Sequence, residues 1–311
     1  MYTTIEKEVT KMNRFDEQLK NLYLGILSNY PDIDGKKNAH LQYGFKAKEF
    51  RTLREKYSLE RIAGDGTAFE RAKRLLHYFS PRLTHSSWYD NHVECNALKL
   101  LEYSFEKPES GINCLNKSKI LAECCLAIGI YARRVFISPF SPFDFDSHVV
   151  CEIYDDAFDK WIMLDPTTDG YFIDENKMPL SMAEIREHFA SLRFTTFVSS
   201  TTRRFDLERL ATKNAGINWY ILKNCFLISF EPYNGFGEKP GSVHLIPKNY
   251  SVLENEKRNY QFRLANMPEE YKHLLGAQED YISKYGHKTE PVACRVQSVY
   301  QNPHEKGHAL P

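Results

Sequence analysis

Between Cys114 and Asp165 the apolar pattern switches once, from helical to alternating, and this switch constrains the fold of the 311-residue chain more than any other feature. Leu121, Ala122, Cys125 and Ile128 recur at helical spacing, which predicts a helix over 114–128. Gly129 follows as a residue able to take the left-handed conformation that ends a helix. Three strands are then predicted, Arg134–Ser138, Val149–Tyr154 and Lys160–Leu164, separated by turns rich in Pro and Asp. The last two make a hairpin if the chain reverses over 155–158. That register sets Val149 opposite Leu164 and His148 opposite Asp165, with Cβ atoms roughly 5 Å apart on one face. A slip of one residue would send the two side chains to opposite faces.

The flanks read less sharply. Phe15, Leu19, Leu22 and Ile26 predict a helix over 14–28 that stops before Pro31. Residues 32–50 are polar and turn-rich and read as a connector. Thr67 and Glu70 have capping-box spacing and open a helix that buries Phe69, Ala72, Leu76 and Phe79 and ends before Pro81. A further helix is predicted over 92–104 from Val93, Ala97 and Leu100. Ser181 and Glu184 form a second capping box, ahead of Ile185, Phe189 and Leu192. Trp219–Phe230 fits either a strand or a buried helix, Ser242–Ile246 fits a strand, and the last 30 residues read as a polar, mobile tail.

Composition excludes several classes of function. Forty-one basic residues balance 41 acidic ones, so no net positive field draws nucleic acid or anionic lipid. No run approaches the roughly 18 apolar residues of a membrane span. The opening Met-Tyr-Thr-Thr-Ile-Glu-Lys holds an early acidic residue and no apolar run resembling a signal peptide, so none is expected. Seven cysteines without regular spacing do not form a secreted disulfide framework. Cytoplasmic residence is expected. His92 and Cys95 lack the partner pair a zinc site needs, so neither a metal nor another cofactor is expected. The Gly-rich stretch 235–241 lacks the strand–helix context of a phosphate loop, and Leu41 stands where a calcium loop opening at Asp32 needs its closing Glu.

Cys114, His148 and Asp165 are the candidate catalytic residues. Asn113 suits the N-cap of the helix that Cys114 begins, and unpaired N–H groups at a helix start favour a thiolate. A carboxylate opposite His148 orients the imidazole and stabilises its charged form, leaving the other ring nitrogen for the thiol. Taken singly, Cys114 would read as a small buried hydrophobe and Asp165 as the cap of its Pro-Thr turn.

Cys114 through Val135, with its Gly-Ile-Tyr-Ala-Arg-Arg-Val ending, resembles the nucleophile helix of the transglutaminase-like superfamily. His148-Val-Val-Cys-Glu-Ile-Tyr resembles its His strand, and Lys160-Trp-Ile-Met-Leu-Asp165-Pro-Thr its Asp strand. The resemblance implies an α+β fold with a papain-like core, the nucleophile helix packed on an antiparallel sheet. N-terminal helices (1–65) and a C-terminal extension packed on the core (195–311) would flank a core at 66–194. It implies cysteine-dependent acyl transfer on an amide of a peptide or protein, through a thioester that water or an amine releases. The Gly-Gln-Cys-Trp signature of calcium-dependent crosslinking enzymes is absent, which favours water. The Cys-x-x-Cys pairs of the peptide N-glycanase type are absent too. The oxyanion needs donors: the Cys114 N–H and, from upstream, Trp88, Tyr89 or Asn91. The loop 138–145 is expected to line the cleft. The rival expectation is a catalytically inactive binding or scaffold protein that kept the fold.

Overall fold

The computed structural model describes residues 17–33, 35–144, 146–199, 207–276, 279 and 293–305. In chain order these hold α1 (17–29), β1 (Gln42–Tyr43), α2 (Lys48–Tyr57), α3 (Leu59–Ala63), α4 (Ala68–Phe79), α5 (Ala97–Glu106) and α6 (Cys114–Ala127). There follow β2 (Ala132–Ser138), β3 (His148–Asp155), β4 (Lys160–Leu164), β5 (Gly170–Ile173), α7 (Met182–Ala190), β6 (Thr196–Ser199) and α8 (Leu207–Asn224). The chain continues through β7 (Leu227–Phe230), β8 (Tyr233–Asn234), β9 (Val243–Leu245), α9 (Val252–Asn266), a 3-10 turn (Glu269–Leu275) and α10 (Val296–Tyr300). The fold is mixed α+β around a five-stranded antiparallel sheet in the order β4-β3-β2-β7-β9. No helix among the described residues is long and apolar enough to cross a membrane.

α6 packs against β2 and β3 on one side and α2, α4 and α5 on others. Every residue from Asn116 to Ala127 is therefore buried, although Lys117, Ser118, Lys119 and Glu123 are polar. Buried polar groups require partners. Ser118 donates to the Val149 carbonyl at 2.7 Å. Glu123 accepts the Ala97 N–H at 2.7 Å and the Gly237 N–H at 2.8 Å, and pairs with Lys119 at 3.1 Å. The helix ends as read from the sequence: Gly129 takes φ 82° and its N–H returns to the Leu126 carbonyl. Both capping boxes form, at Thr67/Glu70 and Ser181/Glu184.

Several expectations need correction. The β3–β4 hairpin pairs Cys151 with Leu164 and Asp155 with Lys160, two residues from the expected register. Its tip is 156–159, because the buried Asp155 carboxylate accepts the Ala157 and Phe158 N–H groups and Asp159 turns at φ 51°. A slip of two preserves the faces of the side chains, so His148 and Asp165 stay on one side as diagonal neighbours. The helix predicted from 92 begins at Ala97, where the Asn96 side chain accepts the Lys99 N–H; Val93 stays in a loop, its N–H on the Tyr89 hydroxyl. Residues 32–50 are no mere connector, since β1 pairs in parallel with β8, and Leu41 and Tyr43 are buried. Trp219–Phe230 is both alternatives in turn, the end of α8 and then β7.

The segment 195–311 is not an extension laid on a finished core, because it supplies β7 and β9 to the central sheet. The described part of the tail, 293–305, is packed rather than mobile. Residues 14–16 of the first predicted helix lie outside the described residues.

A buried ion pair knots these parts together. Arg133 donates to Glu152 Oε2 from Nε at 2.9 Å and Nη2 at 2.7 Å, and from Nη1 to the Val299 carbonyl at 2.7 Å. Glu152 Oε1 accepts the Met182 N–H at 2.8 Å and the Tyr300 hydroxyl at 3.0 Å. One carboxylate thus joins β2, β3, α7 and α10. Glu152→Ala strands a buried guanidinium and is expected to lower the unfolding free energy by about 3–5 kcal/mol in urea titrations. Replacing both partners with Met should cost clearly less.

Candidate functional site

Cys114 is the first residue of α6, and its placement is local in origin. Gly111 turns at φ 65°, and Ile112 exchanges backbone hydrogen bonds with the Thr84–Ser86 segment, which pins the helix entry. Asn113 then caps the helix, its Oδ1 accepting the Asn116 N–H at 3.2 Å. The thiol is half-buried. One turn on, Ser118 docks the helix onto Val149, the residue after His148.

His148 opens β3 and is almost wholly buried. Its Nε2 meets Asp165 Oδ2 at 3.0 Å. Cys114 and His148 line one cavity, and the thiol bears on the ionisation of the ring. With Nε2 committed to the carboxylate, Nδ1 is the nitrogen open to the thiol. Asp165 makes the contacts of both sequence readings at once. Its Oδ1 accepts the Thr167 N–H at 2.8 Å and caps the turn, while Oδ2 takes His148 and the Thr168 hydroxyl, the latter at 2.7 Å. Burial alone would raise the Asp165 pKa, yet His148 and these donors hold it below the usual carboxylate range. Burial alone would depress the imidazole, but the Asp165 carboxylate and the Cys114 thiol outweigh it and lift His148 to about 10.

The three residues do not stand alone. A cavity of about 1020 Å³ opens onto Cys114 and His148, lined also by Trp88, Asn91, Phe143, Asp146, Thr167 and Tyr220. Leu115 and Phe136 border it and also border a second cavity of about 460 Å³ that runs on toward Glu238. Trp88 is 55% exposed and packs at a tilt on Tyr271, with ring centroids 4.6 Å apart. Tyr89 is buried, with its hydroxyl on the Val93 N–H. Asn91, at φ 57°, uses its Oδ1 to accept from Asn113 Nδ2 at 3.1 Å and Asn116 Nδ2 at 2.9 Å. The Tyr89 carbonyl accepts from Asn113 Nδ2 at 3.5 Å, so Tyr89 and Asn91 both brace the helix start, and of the upstream trio Trp88 presents the exposed ring.

In the loop before His148, Phe143 lines the cavity but Phe140 packs inward on Tyr30, Phe226 and Tyr250; Phe145 lies outside the described residues. Sequence reasoning missed Tyr220, which packs edge-on against the His148 ring. It also missed His85, which lines the cavity, and the buried Lys117, both with pKa values that burial lowers. Tyr220 sits in the one apolar stretch whose secondary structure was ambiguous, and no spacing ties it to His148. Among the described residues no group of three His, Cys, Asp or Glu side chains is placed to hold a metal ion. No protein-family model matches the chain, and no curated protein matches it.

The raised His148 pKa has a thermodynamic consequence of definite sign. Protonated His148 stabilises the fold fully below the unfolded value of about 6.5, and that contribution disappears as pH rises through about 10. The stability gap between wild type and His148→Gln in urea titrations should therefore be widest near pH 6 and shrink steadily toward pH 10. A gap independent of pH would mean that the ring is neutral in the fold.

Proposed function

We propose that the chain is a transglutaminase-like cysteine enzyme with a papain-like core, and that it hydrolyses an amide bond of a peptide or protein. The observation that carries this reading is the buried imidazole that meets the Asp165 carboxylate at 3.0 Å and shares an open cavity with the Cys114 thiol. Two cavities that share Leu115 and Phe136 suit an extended chain better than a compact metabolite, for which roughly 300–1,000 Å³ suffices.

The steps follow from the geometry. The Cys114 sulfur, as thiolate, attacks the amide carbon and a C–S bond forms. Negative charge moves to the carbonyl oxygen, which the Cys114 backbone N–H can meet, because the first positions of a helix have no carbonyl partner of their own. The His148 imidazolium gives its Nδ1 proton to the departing nitrogen as the C–N bond breaks, leaving a thioester. Water then attacks, His148 takes its proton, and the C–S bond breaks to release the acid and restore the thiolate. Asp165 keeps Nε2–H in place throughout. No step calls for a metal or a cofactor.

The test is trapping. A pooled peptide digest offered to the protein and quenched in acid should leave an acyl mass on Cys114, and Cys114→Ala should carry none. His148→Ala should slow acylation by roughly 10²–10⁴-fold. A primary alkylamine added to the reaction separates the two fates of the thioester: an acid product supports hydrolysis, whereas the N-alkyl amide as the main product would show transfer to amines. Selective iodoacetamide labelling of Cys114 over the other free cysteines should accompany activity. Failure of both labelling and acylation would favour the inactive scaffold.

A further inference from the structure

The loop that delivers His148 is gripped from outside the three-residue line. α8 lays two side chains, one turn apart, against it. The Tyr220 ring meets the imidazole edge-to-face, with centroids 5.2 Å apart and planes at 69°. Its hydroxyl donates toward Asp146 Oδ1 at 3.3 Å and the Ser147 carbonyl at 3.4 Å, in the two residues that precede His148. Lys223 Nζ donates to Asp144 at 2.9 and 3.1 Å and to Asp146 Oδ2 at 2.9 Å, and it is 8% exposed. From α9, Asn259 holds the same loop through the Pro142 carbonyl at 2.9 Å and the Asp144 carbonyl at 3.2 Å.

This arrangement answers a mechanical need. A single hydrogen bond from Nε2 to Asp165 leaves an imidazole free to swing about that contact, and a swing of about 1 Å can cost 10²-fold in rate. An aromatic ring against the imidazole removes that freedom, and an ion pair on the preceding residues anchors the backbone from which the ring projects. The charged and titratable groups around the ring are Asp165, Cys114 and His85, with Asp146 reaching the Tyr220 hydroxyl.

We propose that Tyr220 and Lys223 are positioning residues, which clamp Asp144, Asp146 and Ser147 and the His148 ring so that Nδ1 stays aimed at the Cys114 sulfur. The proposal rests on the Cys–His–Asp reading above. It gives the C-terminal part of the chain a direct role at the site.

The experiment follows the rate of iodoacetamide addition to Cys114, located by mass spectrometry, from pH 5 to 10. The full-length wild type is compared with Y220L, Y220F, K223M and H148A. Y220L is expected to lose roughly tenfold at pH 7 and to move the acid limb of the profile upward, while Y220F, which keeps the ring, stays within about threefold of wild type. K223M is expected to lose about threefold or more in the same direction. A wild-type profile in Y220L, or a loss in Y220F equal to that in Y220L, overturns the role of the Tyr220 ring; a wild-type profile in K223M overturns that of Lys223. If Y220L does not fold, K223M, which keeps the ring, decides whether the loop is clamped. H148A separates the two levels of inference. If it labels as fast as wild type, the triad reading fails; if it is slow while Y220L and K223M are not, the triad stands and the clamp falls.

Discussion

A helix buried on every side can keep polar side chains only if each finds a partner, and α6 is such a helix. Ser118 ties it to β3, Lys119 to the carbonyls of Gly235 and Gly237, and Glu123 to the start of α5 and again to Gly237. A purely apolar helix of the same shape would be free to rotate or slide on the sheet at little cost. These hydrogen bonds remove that freedom, because a small rotation would leave several buried groups unpaired at about 1–3 kcal/mol each. The orientation of Cys114 at the helix start is thus set by contacts made far along the helix, on elements that the site itself does not use.

Asp165 shows how the opposite wall is held. Its two oxygens are divided between structure and site: one caps the Asp165–Thr168 turn, the other faces His148 and Thr168. The Ser80 hydroxyl grips the same turn through the Pro166 carbonyl at 2.8 Å. A carboxylate buried this completely stays charged only with several donors around it. The donors that keep Asp165 ionised also fix its direction, so charge and geometry come from one set of contacts.

The legible parts of the chain were those governed by local rules. The helix begun by Cys114 and closed at Gly129, the two capping boxes and the hairpin that brings His148 near Asp165 follow from spacing and from capping chemistry. The hairpin register did not, because Asp155 moved the reversal by one residue on each strand through side-chain hydrogen bonds that a count of apolar positions cannot see. Parity protected the inference: a slip of two keeps the faces and only a slip of one would have parted the pair. What stayed illegible is long-range. Nothing in residues 195–311 announces that β7 will lie beside β2, or that Tyr220 will meet a ring 72 positions earlier in the chain. Trp88, Tyr89 and Asn91 cluster in the sequence and also in space, yet only the fold separates the two that brace the helix from the one left exposed.

The three site residues lie along a gradient of exposure: half-buried at Cys114, 2% at His148 and none at Asp165. In the proposed chemistry this ordering matters more than any single distance. A substrate entering the cavity reaches the sulfur first, because the ring behind it is all but closed off. Bulk water cannot reach Nε2, so the proton shared with Asp165 is not lost to solvent between steps. Proton traffic is confined to Nδ1, where the departing nitrogen and the incoming water must both come. Shielding one end of a buried charge pair while opening the other makes an imidazole a directional carrier, and here that shielding is supplied by Asp165 and its turn on one side and by Tyr220 on another.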